Sequence, residues 1–181
     1  MAMHQTRAAV FVHVTWATWD RLPLLIGEIE EQVYRAIGAR CAELGARLVA
    51  LGGTEDHVHL LVCLPTSLGL AELMKQIKGM SAHLVTHDIA PGEFFKWQGG
   101  YGAFSVSPRH LRKVSDYIIN QRQHHASGSL MPKLEPEYDY ADLEQLIESA
   151  QADFADPQGP SAGAPTIVGP SVERPLSPEE R

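Results

Sequence analysis

The chain has 181 residues, 44% of them hydrophobic, with a formal net charge of −7. That length suits one domain with a tail, or at most two small ones, and the apolar fraction is ordinary for a chain that buries a real core. No run of 18 or more apolar residues occurs and the first residues lack a signal-peptide pattern, so a membrane span is excluded and a cytoplasmic protein is expected.

The charge is unevenly placed. Residues 1–132 carry 12 Lys and Arg against 11 Asp and Glu, a net of +1, whereas residues 133–181 carry 3 against 11, a net of −8. The acidity therefore belongs to the C-terminal part, and a nucleic-acid phosphate backbone stays open as a partner for the rest. Two cysteines, Cys41 and Cys63, form no framework and read as free buried thiols.

In chain order, residues 8–16 are rich in β-branched and aromatic side chains and read as a buried strand ending at the turn around Pro23. Over residues 28–44, Ile29, Val33, Ile37, Cys41 and Leu44 recur at helical spacing, with acids in the first turn and Gly45 as the stop. Residues 46–51 and 56–64 read as two strands around a turn containing Gly52 and Gly53, and should pair as an antiparallel hairpin. A long helix follows over residues 68–87, capped by Pro65, Thr66 and Ser67, with Leu73, Met74, Ile77 and Leu84 on its apolar side. Residues 93–105 read as an aromatic strand or hairpin bent at Gly99 and Gly100. Ser107 and Pro108 then open a helix that should run to about residue 125, with Gly128 beyond its end.

The order strand, helix, strand, strand, helix, strand, helix favours an α+β fold, a ferredoxin-like antiparallel sheet with helices packed on one face. Three segments are expected: a domain over residues 1–131, an acidic helical extension over 132–154, and a disordered Pro- and Gly-rich tail over 155–181.

Chemistry concentrates first at His57 and His59. Two residues apart on a strand, their imidazoles project to one face while Val58 points into the core, which makes a divalent-metal site short of further ligands. The plainer reading is a half-buried strand with two hydrogen-bonded histidines. On the last helix, Tyr117 and Gln121 share a face four residues apart. The Gln121 amide oxygen would complete a His, His, Gln set beside a phenol, a combination suited to attack on a phosphodiester. Taken singly, Tyr117 is an ordinary amphipathic-helix tyrosine. Lys75 and Lys78 on the long helix, and Arg109, Arg112, Lys113 and Arg122 on the last, form basic faces for DNA or plain solvated surfaces. Trp97 and Tyr101 suit base stacking or core packing; His13 on the first strand either borders the site or, more plainly, is a core histidine, and His124 and His125 receive no assigned role.

Four segments taken in order, Asp-His-Val-His-Leu-Leu-Val from residue 56, Leu-Met-Lys-Gln-Ile-Lys-Gly from 73, Trp-Gln-Gly-Gly-Tyr-Gly-Ala-Phe-Ser-Val from 97 and Tyr-Ile-Ile-Asn-Gln-Arg-Gln-His-His from 117, resemble the HUH single-tyrosine transposases, the TnpA-like enzymes of small insertion sequences and their REP-associated relatives. The resemblance covers about residues 8–127. It implies a Mg2+- or Mn2+-dependent enzyme that cuts and rejoins single-stranded DNA next to hairpins through a 5′-phosphotyrosine, with His57 and His59 as the metal-binding pair, Tyr117 as nucleophile and Gln121 as third ligand. It also implies homodimers, in which the tyrosine helix of one subunit can serve the histidines of the other. Where relatives have Thr-Lys-x-Arg after the first strand, this chain has Trp19 in place of the lysine, and residues 134–138 match the relatives' acidic-aromatic segment only loosely. Two other functions remain open: a domesticated hairpin-DNA-binding protein without cleavage, and a metal-dependent phosphohydrolase that uses the histidines without a covalent step.

Overall fold

The computed structural model describes residues 8–135 together with Gln145, Ile147 and Glu148. The expected acidic helix and tail otherwise lie outside the described residues, as does most of a unit spanning Asp139–Arg181; its three described residues are helical and exposed. The unit spanning Met1–Tyr138 carries the fold.

Four strands, β1 (Val10–Ala17), β2 (Arg47–Gly53), β3 (His57–Leu64) and β4 (Gly102–Ser105), form one antiparallel sheet in the order β2-β3-β1-β4. The β2–β3 hairpin forms as its turn residues predict. β3 sits inside the sheet, and all eight of its residues are buried. That follows from its composition: Val58, Leu60, Val62 and Leu64 face one side, and His57, His59, Leu61 and Cys63 the other.

The first side is covered by α1 (Glu28–Glu43) and α2 (Leu70–Leu84), whose Val33, Ile37, Leu73 and Ile77 meet Val12, Val14 and Trp16 of β1 in the main core. The second side is covered by α3 (Leu111–Ile119), through Val114 and Ile118 against Ala50 and Leu61. The ferredoxin-like α+β arrangement predicted from element order is thus present, but its helices are not confined to one face: α3 with the short α4 (Gln121–Ser127) adds a layer over the histidine side. Cys41 and Cys63 are free and buried, as expected.

Three local expectations change. The cap of α2 is Gly69, with no side-chain cap, rather than the Pro65–Ser67 segment, and the helix ends in a π-turn at Val85–Ile89. The aromatic stretch supplies only β4 and an isolated bridge between Thr18 and Trp97. Its remaining carbonyls need no strand partner, because Lys78 Nζ donates to Gln98 O at 2.6 Å, Gly99 O at 3.3 Å and Gly100 O at 2.9 Å. Trp97 is buried, edge-on to Trp16, and donates to Ser81 Oγ at 2.9 Å, so its role is in the core. Finally, the helix predicted to run to residue 125 breaks at Asn120, whose amide donates back to Asp116 O at 2.8 Å.

The seating of α3 depends on Gly52. A Cβ there would collide with the Ile118 carbonyl oxygen, whereas one at Gly79 on α2 would meet nothing within 4 Å. Gly52→Ala is expected to cost about 1–3 kcal/mol, and Gly79→Ala to gain up to about 1 kcal/mol. Thermal unfolding of both variants checks the contrast.

Candidate metal and nucleophile site

The strand alternation of β3 places both imidazoles under α3 and α4, fully buried. Buried imidazoles need fixed partners, and each has one. His57 Nδ1 donates to Asp56 Oδ1 at 2.6 Å, with Thr54 Oγ1 at 2.8 Å from the same nitrogen and itself donating to Asp56 Oδ1 at 2.8 Å. The proton is therefore on Nδ1, and His57 Nε2 offers a lone pair. His59 reaches the same state by another route. The Gln121 amide nitrogen donates to His59 Nε2 at 2.9 Å, so the His59 proton lies on Nδ1, which contacts His13 Nε2 at 3.0 Å. Burial first, then the adjoining His59 imidazole, holds the His13 pKa down to about 3, and burial also lowers that of His59, so both stay neutral.

Glu135 enters the same point from the 3-10 turn Pro132–Leu134. Its two oxygens divide their work. Oε2 lies 3.6 Å from His57 Nε2, 3.7 Å from His59 Nε2 and 3.5 Å from His125 Nε2. Oε1 accepts from the Tyr117 hydroxyl and, at 2.8 Å, from the Gln121 amide. Burial favours the neutral carboxyl, but the neighbouring His59 imidazole and the hydrogen bonds from Tyr117 and Gln121 outweigh it and bring the pKa to about 2. Tyr117 shifts the other way: burial and then the Glu135 carboxylate raise its pKa to about 12, so the resting phenol keeps its proton. Its ring stacks on His124 at 4.7 Å and meets His59 edge-on at 6.2 Å.

The donor set fits a divalent cation. His57 Nε2, His59 Nε2 and a Glu135 oxygen all lie within 4.8 Å of one another and form a group able to hold a metal ion. Three lone-pair-bearing atoms facing one point repel unless a cation lies between them. Gln121, expected as the third ligand, reaches this point with its amide nitrogen, and its Oε1 is buried without a hydrogen-bond partner. Glu135 and Gln121 both reach the two histidines at this point.

Tyr117, His57, His59 and Gln121 are thus brought together within one chain. The basic residues are scattered. Lys75, Arg109, Arg112 and Lys113 are exposed, and Arg112 pairs only weakly with Asp116 at 3.9 Å. Lys78 is spent on the loop carbonyls described above, and burial lowers its pKa. Arg122 is ion-paired with Glu30 of α1. His13, which the sequence read more plainly as a core histidine than as a residue bordering the site, stands against it, as do Glu135 and His125, which were left without a role. The signal for His13 was its in-register position on a neighbouring strand; that for Glu135 was only the loose match of residues 134–138 to the relatives' acidic-aromatic segment.

A model of the family described as IS200-like transposase matches residues 6–121, which include the histidine pair, Tyr117 and Gln121 and stop short of Glu135. The ISDra2 transposase TnpA of Deinococcus radiodurans is 24% identical over 114 residues, covering 60% of this chain and 81% of that protein. The transposase for insertion sequence element IS200 of Salmonella typhimurium is 23% identical over 132 residues, covering 70% and 86%. A solved REP-associated tyrosine transposase bound to a REP hairpin shares the fold at a TM-score of 0.53 and 16% identity, over 96% of this chain and 99% of that one.

His13→Leu tests the imidazole relay, since it keeps the bulk and removes the acceptor for His59. Mn2+ affinity by titration calorimetry should fall about 10–100-fold with the fold intact. The sign of the pH effect follows from the lowered pKa. A histidine held below 6.5 adds a stability that is full above 6.5 and lost as pH falls toward 3, so wild type should lose more stability than the variant across that window.

Proposed function

The chain belongs to the IS200-like transposase family, and from that premise we propose that it cuts and rejoins single-stranded DNA beside hairpins through a covalent link from Tyr117 to a 5′-phosphate. The observation that carries this reading is the sharing of Glu135: one oxygen takes the Tyr117 hydroxyl while the other faces the two histidine nitrogens. A nucleophile and a candidate metal centre are so joined through a single carboxylate.

Each residue then has a task. His57 and His59 present neutral Nε2 lone pairs, kept in that tautomer by Asp56 on one side and by Gln121 and His13 on the other. With Glu135 they would hold Mg2+ or Mn2+, which when bound neutralises charge on the scissile phosphate and polarises it. Tyr117 supplies the attacking oxygen. As its bond to phosphorus forms, the bond from phosphorus to the 3′ oxygen breaks, and the released strand ends in a 3′-hydroxyl. The phenolic proton, donated at rest to Glu135 Oε1, is the proton that the leaving 3′ oxygen gains in the overall exchange. One phosphodiester is traded for another, so a new 3′-hydroxyl can reverse the step without an energy source. The exposed Lys75, Arg109, Arg112 and Lys113 provide cations for the DNA backbone. Tyr117 meets the histidines of its own chain here.

Tyr117→Phe separates the readings. A hairpin oligonucleotide labelled at its 3′ end, incubated with Mn2+, should give a labelled covalent protein adduct on a denaturing gel with the native chain and none with the variant, while hairpin binding is retained. Cleavage that survives in the variant would favour a hydrolase. Chelation with EDTA should abolish cleavage in the native chain.

A further inference from the structure

A cavity adjoins the histidine pair. It measures about 350 Å3 and is lined by Arg21, Thr54, Glu55, Asp56, Arg122 and His125. Thr54 and Asp56 form one wall, and these are the residues that orient His57; His125 forms another, its ring 4.8 Å from that of His57. A strand with its scissile phosphate at the histidine pair therefore has a neighbouring nucleotide within reach of this space.

We propose that the cavity takes one unpaired nucleobase flanking the scissile phosphate, and that the Glu55 carboxylate selects it by accepting N–H groups from its edge. This rests on the single-stranded DNA reading above. The volume falls at the lower end of the range for small-ligand sites, enough for a base and part of its sugar. The lining has both signs of charge: Glu55 and Asp56 repel a phosphate, while Arg21 and Arg122 repel a metal ion. A nucleobase, with acceptors and donors along one edge, satisfies both. Asp56 is already committed to Arg21 at 3.2 Å, to Thr54 and to His57, which leaves the exposed Glu55 as the carboxylate available to a ligand.

The walls are held in advance. Leu25 N donates to Glu55 O at 2.8 Å and Thr18 N to Asp56 O at 2.9 Å, tying the β2–β3 turn to the segment after β1. In that segment Asp20 and Arg21 both take left-handed backbone conformations, with φ of 51° and 55°. Non-glycine residues rarely do so, and two in succession aim Arg21 into the cavity wall. A carboxylate reader favours adenine, cytosine or guanine, each with an exocyclic amino group, over thymine, whose one N–H lies between two carbonyl oxygens.

Competition binding in EDTA tests this without relying on cleavage. A labelled hairpin with a single-stranded 5′ flank is competed by versions in which each flank position in turn carries each of the four bases or an abasic site. At one position an amino-bearing base should bind about tenfold better than thymine or the abasic site, and Glu55→Ala should reduce that preference to about twofold or less. Glu55 is exposed, so the variant does not threaten the fold. A flank indifferent to base identity, or a preference that survives in Glu55→Ala, overturns the proposal while leaving the Tyr117 chemistry standing. Failure to bind any hairpin overturns both.

Discussion

The structure depends on one strand buried on both sides. β3 carries an aliphatic row toward α1 and α2 and a row containing His57 and His59 toward α3. Two imidazoles without water have to be satisfied by protein groups, and the way they are satisfied decides the site's chemistry. Asp56 holds the proton of His57 on Nδ1, and Gln121 with His13 does the same for His59. Both lone pairs are thereby turned inward to the place where Glu135 arrives.

Packing and chemistry are coupled at α3. Ile118 anchors the helix against Ala50 and Leu61, with its carbonyl pressed on Gly52, and that seat delivers Tyr117 to Glu135. The break at Asn120 starts α4 at Gln121 and leaves both Tyr117 and Gln121 buried over the histidines. The exposed cations on the outer side of α3 then lie on the element that carries Tyr117. The adjoining cavity uses the same turn that orients His57, so reading a base and holding a metal ligand would draw on one rigid segment.

Much of this was legible in the sequence wherever periodicity carried it. The alternation of residues 57–64 foretold which way the imidazoles point, and helical spacing placed Tyr117 and Gln121 on one face. The family was legible too, because four motifs recur in order. Other parts were hidden for physical reasons. Glu135 sits in an aperiodic turn, and nothing local shows that its carboxylate folds back onto residues distant in the chain. His13 was visible as a strand residue, but its contact with His59 depends on the register between β1 and β3. Lys78 looked like a phosphate contact on its helix face, yet a loop poor in strand partners claims its ammonium. Arg122 likewise meets Glu30, a partner set by tertiary packing alone.

The central claim is that a divalent ion sits where His57 Nε2, His59 Nε2 and Glu135 converge, beside the Tyr117 hydroxyl. Anomalous diffraction from crystals soaked in Mn2+ tests this most directly. The account predicts one strong peak at coordinating distance from both imidazole nitrogens and a Glu135 oxygen. A peak elsewhere with this point empty, for instance at the stacked surface pair His83 and His87, would contradict it.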